Sequence, residues 1–307
     1  MDAHAEGLRR PDSAIDVSNI TNDSQQSDTY VLTRDTAASA RLNLSHFIWL
    51  DAYGFNLHPT IAKAIVGRAN LRVADIGTGT GIWLLDVAKT LPSSAQLDAI
   101  DISFSQCPPT AWLPYNVNLR HLDAFSDVPE HLHSHYDVIH IRHFVCVVKS
   151  DDPLPLLQNL CKMLKPGGYL QWDEWDVGRR NLIQAHAHAP REMIDKLEEE
   201  FKIMRKHTPM PTWPPRLDEY FLDVGLQDVA MEKRLSSNSH LPFMHDLTML
   251  VFKELIDNAE ASSSLGAEKC MELRRLLDGA IQESRAGAAW NLTRCMAIGR
   301  KHDSFRY

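Results

Sequence analysis

No stretch of this chain stays apolar long enough to cross a bilayer, which takes about 20 consecutive residues, so no membrane-spanning helix is expected. The opening MDAHAEGLRRPDSAID lacks the apolar core of a secretory signal, and a cytoplasmic protein is expected. Cysteine is scarce. Cys107, Cys146, Cys161, Cys270 and Cys295 are scattered, odd in number and without a C-x-x-C pair, a pattern of reduced core thiols rather than a disulfide framework. Positive charge is also short: 32 Lys and Arg against 40 Asp and Glu leave −8, with no basic cluster large enough to track a phosphate backbone. A nucleic-acid partner is thereby excluded, and a small-molecule substrate is expected.

What remains is an ordinary globular balance of 44% hydrophobic and 23% charged residues, in a chain long enough for one large α/β domain with an added cap. Residues 1–28 are polar and aperiodic, which predicts a disordered tail. From residue 30 to 67 apolar residues recur at helical spacing (Leu42, Phe47, Ile48, Ile61, Ile65), broken at His58-Pro59. The pattern then changes. LRVADIG is a short apolar run ending on glycine, as in a buried parallel strand, and GIWLLDVAKTL follows as a helix. QLDAIDIS, VNLRHLDAF, YDVIHIRHFV and GGYLQWDEWD are further strand candidates, and LPLLQNLCKM is a helix stopped by Lys165-Pro166-Gly167-Gly168. Alternation of this kind predicts a doubly wound parallel sheet. Beyond it come GLQDVAMEKRLS as a strand, 243–285 as one or two helices, and NLTRCMAIGRK as a last strand.

The most informative segment is Asp75-Ile76-Gly77-Thr78-Gly79-Thr80-Gly81, placed after a strand and opening a helix. Glycines there let the backbone turn tightly and approach a ligand. An acid just before the first glycine would repel a pyrophosphate but suits a ligand carrying an ammonium group. Asp101, at the end of the next strand, can accept hydrogen bonds from both hydroxyls of a ribose. Asp123, closing LRHLDAF, can take the exocyclic amine of an adenine. All three acids are expected to face one crevice at the switch point of the sheet.

DIGTGTGIWLLDVA, LDAIDIS, LRHLDAF, YDVIHIRHF and LKPGGYLQWDEWD together resemble the class I S-adenosylmethionine-dependent methyltransferases, and more narrowly the fungal methyltransferases of secondary metabolism. The resemblance implies a Rossmann-like seven-stranded sheet, with the methyltransferase domain over 69–307. Residues 29–68 would be N-terminal helices of a substrate cap, with further cap segments at about 177–222 and 240–285. It implies S-adenosylmethionine as cofactor. Asp75, Gly77, Thr78, Gly79 and Gly81 would line its methionine end, Asp101 and Ile102 the ribose, and Asp123 and Ala124 the adenine. Ile141 and Arg142 would border its amino-acid portion and the acceptor. The implied reaction is methyl transfer to an O (or N or S) atom of a small natural product.

The transfer requires no metal, and His131, His133 and His135 in HLHSHYD read as a solvated loop rather than a ligand set. A base would matter most for a hydroxyl acceptor, and histidine suits neutral pH. The catalytic candidates are His143, His46 and Glu174. His140 and Arg142 would share one side of their strand. Two other functions are compatible with these motifs: a pericyclase on a methyltransferase scaffold, and a regulatory methyltransferase-like protein.

Overall fold

The computed structural model describes residues 32–205 and 209–303, so the tail expected over 1–28 lies outside the described residues. Five strands run parallel: β1 (Arg72–Ile76), β2 (Gln96–Asp101), β3 (Val117–His121), β4 (Tyr136–Arg142) and β5 (Leu164–Gln184). β6 (Leu226–Arg234) pairs with β7 (Ala288–Lys301), which runs antiparallel between it and β5. The order is β3-β2-β1-β4-β5-β7-β6. It reverses between β1 and β4, which opens a crevice at their C-terminal ends.

Near-continuous Val, Ile, Leu and Ala put β1, β2 and β4 at the centre of the sheet, covered on both faces. Alternation assigns the faces. Ile139 and Ile141 of β4 join Ile76, Leu170 and Trp172 in a core beneath α4 (Leu154–Met163) and α6 (Leu217–Asp223). Val138 joins Val73, Leu97 and Ala99 beneath α2 (Pro59–Ile65) and α3 (Ile82–Ala88). A third apolar cluster gathers α1 (Thr36–Tyr53), α5 (Glu192–Met204), α7 (Leu241–Ala261) and α8 (Ala267–Arg285) over the far ends of β5 and β7.

Local chemistry sets the helix ends. Asp35 caps α1 by accepting the Ala38 N–H at 2.8 Å, and left-handed Gly54 closes it. His58 and Pro59 start α2, where the expected break falls. Residues 177–184 continue β5, whose pairing to β7 shifts register between Asp176 and Arg180. The segment MPTWPPRLDEY is tied to the core by Trp213, which is fully buried with its ring 5.1 Å from that of Trp172.

Candidate functional site

A cavity of about 220 Å³ opens where β1, β2 and β4 end beside the glycine loop. Asp75 sits in β1, and Gly77 and Gly79 then turn with φ of +65° and +55°, a region that L side chains rarely adopt. The loop is held by the Gly77 and Thr78 N–H groups donating to the Ile100 carbonyl at 2.8 and 3.2 Å, and by Gly79 N–H donating to Asp101 Oδ2 at 2.9 Å. A Cβ on Gly77 would fall 2.4 Å from Phe144 Cε2, so loop and ring are in direct contact. Gly77, Thr78 and Gly79 line the cavity. Gly81 does not: it is the left-handed residue that opens α3.

Asp101 ends β2 at the cavity wall. Its carboxylate holds the Gly79 and Ser103 N–H groups, and burial raises its pKa. Ile102, Ala124 and Phe125 continue the wall, and Ile102 and Phe125 each leave 39% of their surface open. Asp123 lies two residues beyond β3, exposed and outside the lining, where its Oδ1 accepts the Phe125 N–H at 2.9 Å. Ile141 points into the opposite core.

On the face beneath α1 and α3 the strands carry a buried polar chain. Asp75 Oδ2 accepts from Thr78 Oγ1 and Oδ1 lies 2.7 Å from His140 Nδ1. His140 Nε2 lies 3.1 Å from Asp173 Oδ2, which also accepts from Arg142 Nε and Nη2 at 3.1 and 2.6 Å. His140 and Arg142 therefore share a face and a partner. The His140 ring is stacked on Trp83 with centroids 3.7 Å apart.

Arg142 Nη1 approaches His46 Nδ1 at 3.3 Å, and His46 Nε2 meets Asp86 Oδ2 at 2.8 Å. Burial pushes the His46 pKa down. A neutral imidazole that accepts from Arg142 must donate from Nε2 to Asp86, so both His46 nitrogens are engaged.

His143 is in the left-handed region at φ +63° and lines the cavity. Its ring stacks on Trp175, and its Nε2 lies 3.3 Å from Ser45 Oγ. Desolvation, helped by Arg142 and Arg41, holds its pKa well below the ordinary value, so the resting imidazole is neutral and its protonated form is disfavoured. Glu174 is placed differently. Fully buried on the core side, it accepts from Phe144 N–H, Trp172 Nε1–H and Trp175 N–H, and burial pushes its pKa up to about 8. It anchors the turn that follows His143 and does not line the cavity.

The wall also includes Leu42 of α1, and Arg34 and Lys149, for which the sequence carried no motif. Phe125 stood next to a named pair, and its apolar type after an acidic strand end was the available signal. HLHSHYD forms a 3₁₀ turn at Glu130–Leu132, with His133 Nε2 at 3.1 Å from the Val128 carbonyl and His135 against the Arg72 guanidinium. Among the described residues, no group of three or more His, Cys, Asp or Glu could hold a metal ion.

Residues 50–225 match a family model described as a methyltransferase domain. The methyltransferase grgD of Penicillium sp is 27% identical over 299 residues, covering 92% of this chain and 100% of that protein. The N-methyltransferase tcpN of Claviceps purpurea is 30% identical over 202 residues, covering 65% of this chain and 69% of its own. Among solved structures, phosphoethanolamine N-methyltransferase 2 of Haemonchus contortus, in complex with S-adenosyl-L-methionine, overlays with a TM-score of 0.44 at 16% identity, covering 85% of this chain and 57% of that one.

Proposed function

The chain belongs to the methyltransferase-domain family and is an S-adenosylmethionine-dependent enzyme, and from that premise we propose that it methylates a heteroatom (O, N or S) of a small natural product. The observation that carries this reading is one cavity lined jointly by the glycine loop, Asp101 and the neutral His143.

The residues present fit the cofactor. Gly79 leaves room that a Cβ would fill to within 3.2 Å of Leu42. Asp101 offers acceptors for ribose hydroxyls, and the open surfaces of Ile102 and Phe125 suit the two faces of a flat base. Arg34 and Lys149 add positive charge suited to a carboxylate. Asp75 is committed to Thr78 and His140, so its part is to shape the loop more than to meet an ammonium group directly.

When bound, the cofactor supplies a methyl group already activated on a sulfonium. The chain's own task is alignment in a dry pocket, which can contribute roughly 7–11 kcal/mol when reacting atoms are held at about 3–3.5 Å. For a hydroxyl acceptor His143 takes the proton as a weak base, a contribution at the low end of roughly 10²–10⁴-fold because its pKa is held so low. The acceptor enters on the side of α1, where His143 lies, beneath the layer formed with α5, α7 and α8. The relative tcpN, an N-methyltransferase, supports a nitrogen acceptor among these.

Incubation of the full chain with S-adenosylmethionine and a panel of small amines, phenols and thiols, read by mass spectrometry, tests the proposal. One added methyl with stoichiometric S-adenosylhomocysteine is expected. Conversion of a substrate without change of mass would replace this reading by a rearrangement on the same scaffold.

A further inference from the structure

We propose that Arg294 and Trp49 form a subsite for a carboxylate on the acceptor molecule, across Trp175 from His143. The proposal rests on heteroatom methylation as the reaction. Arg294 of β7 is fully buried, and burial pulls its pKa down only to about 10, so it stays a cation at neutral pH. Among the described residues its side chain makes one hydrogen bond, from Nη1 to the Ile48 carbonyl at 3.3 Å; Nε and Nη2 have no partner. Asp51, whose negative charge reaches it through space, is itself exposed and paired with His240 at 3.0 Å. Trp49 of α1 is buried as completely, and its indole N–H is unpaired too. A buried donor without an acceptor costs stability, and a buried charge without a counter-charge costs more. All three unpaired groups are donors, so what completes them must bring acceptor oxygens, and the guanidinium asks that these be negative.

The sheet sets these donors beside the reaction. Arg294 is the register partner of Trp175, and β5 lies between β7 and β4, so Trp175 has the guanidinium on its β7 side and His143 on its β4 side. The Arg294 Cζ lies 5.8 Å from the Trp175 ring centroid, and the His143 ring stacks on the same indole with centroids 5.8 Å apart. Trp49 covers both from α1, with its ring 5.1 Å from Trp175 and 5.7 Å from His143. Ser45, one turn earlier on that side of α1, reaches His143 Nε2, and His143 lines the cofactor cavity. Of the arginines around this cluster, Arg142 is committed to Asp173 and Arg41 to Glu254, which leaves Arg294 to receive an acid. An acceptor with its reacting atom at His143 and its carboxylate at Arg294 spans the width of one indole, as a para-substituted benzoic acid does. Both donors are enclosed beneath α1, so α1 is the element that gives way as the acid enters.

Calorimetric binding of 4-hydroxybenzoate and of its neutral amide, 4-hydroxybenzamide, to the full chain saturated with S-adenosylhomocysteine tests this. The acid should bind roughly tenfold or more tightly than the amide, the scale of one charged hydrogen bond, and Arg294→Met should abolish that preference. Without either compound, Arg294→Met should unfold at the wild-type temperature or above it, because an apolar side chain replaces an unpaired buried cation. If Arg294→Met does not fold, Trp49→Phe decides: it removes only the indole N–H and should cut the preference roughly threefold or more. Equal affinity of the wild type for acid and amide, or binding of neither, overturns the proposal. A less stable Arg294→Met that keeps the preference marks the arginine as structural and overturns it too, as does a Trp49→Phe with the preference intact where Arg294→Met fails to fold. The methylation reading fails separately: no methyl added to any amine, phenol or thiol, with the acid preference present, would sink that reading and leave the subsite standing.

Discussion

Glu174 should make the fold less stable as the solution becomes more alkaline, and Glu174→Gln should remove that dependence. The carboxyl is fully buried, with three N–H donors and, among the described residues, no ion-pair partner, and its pKa rises from 4.5 to about 8. Between those values the folded chain binds a proton that the unfolded chain does not. Stability therefore falls with rising pH: the favourable contribution is complete below about pH 4.5 and is lost as pH climbs through about 8. At about 1.36 kcal/mol per pH unit the full effect is on the order of 5 kcal/mol, a large part of the roughly 5–15 kcal/mol that holds a domain folded. Glutamine cannot satisfy three donors with one carbonyl, so the variant should be about 1–3 kcal/mol less stable than wild type at pH 5. It lacks the titration, and by pH 8 the two stabilities should meet or cross. Urea unfolding at pH 5, 6, 7 and 8, extrapolated linearly, gives both curves. Parallel curves would show that Glu174 stays ionised throughout and that its three N–H donors outweigh its burial.

Three further outcomes follow from the site. Asp101→Ala should weaken S-adenosylhomocysteine binding by roughly 1.5–3 kcal/mol, since a charged acceptor is lost; unchanged affinity in calorimetry would remove Asp101 from the ribose. His143→Asn, chosen because Asn tolerates the left-handed backbone, should lower kcat about 10²-fold or more on a hydroxyl acceptor while cofactor affinity holds, and full turnover would show that alignment alone suffices. Gly77→Ala and Gly79→Ala share the cost of positive φ, about 1–2 kcal/mol, but only the first drives a Cβ to 2.4 Å from the Phe144 ring; the second meets the flexible end of Leu42 at 3.2 Å. Thermal unfolding should rank Gly77→Ala clearly below Gly79→Ala, and equal midpoints would contradict the contact.

Much of the fold was legible because its signals are local. The apolar runs of β1, β2 and β4 and the glycines after Asp75 declare themselves within a few residues. The alternation in YDVIHIRHF put His140 and Arg142 on one side of a strand, where they are. Their common partner was not legible, because Asp173 meets Arg142 only through the β4–β5 register, and Asp75 meets His140 only through that of β1 and β4. Register is a property of the assembled sheet. The length of β5 was hidden for another reason: the strand reading stopped at Asp176 and 177–222 was taken for a cap segment, whereas a register shift against β7 between Asp176 and Arg180 lets the strand run on. Glu174 stood in the sequence as a candidate base because its strand ends near the crevice. One residue of pleat turned it away.

The place of β7 in the sheet has a consequence for biogenesis. β5 is finished at residue 184 and β6 at residue 234, yet the two do not pair with each other: β7, over residues 288–301, lies between them, and the edge of β5 away from β4 waits for it. A ribosome building this chain therefore holds out a long bare strand edge while α5 to α8 are still being made. Such an edge recruits other strands as readily as its own. The four helices synthesised in that interval can shield it only from its faces, so the nascent chain is most exposed to mispairing just before its seventh strand emerges.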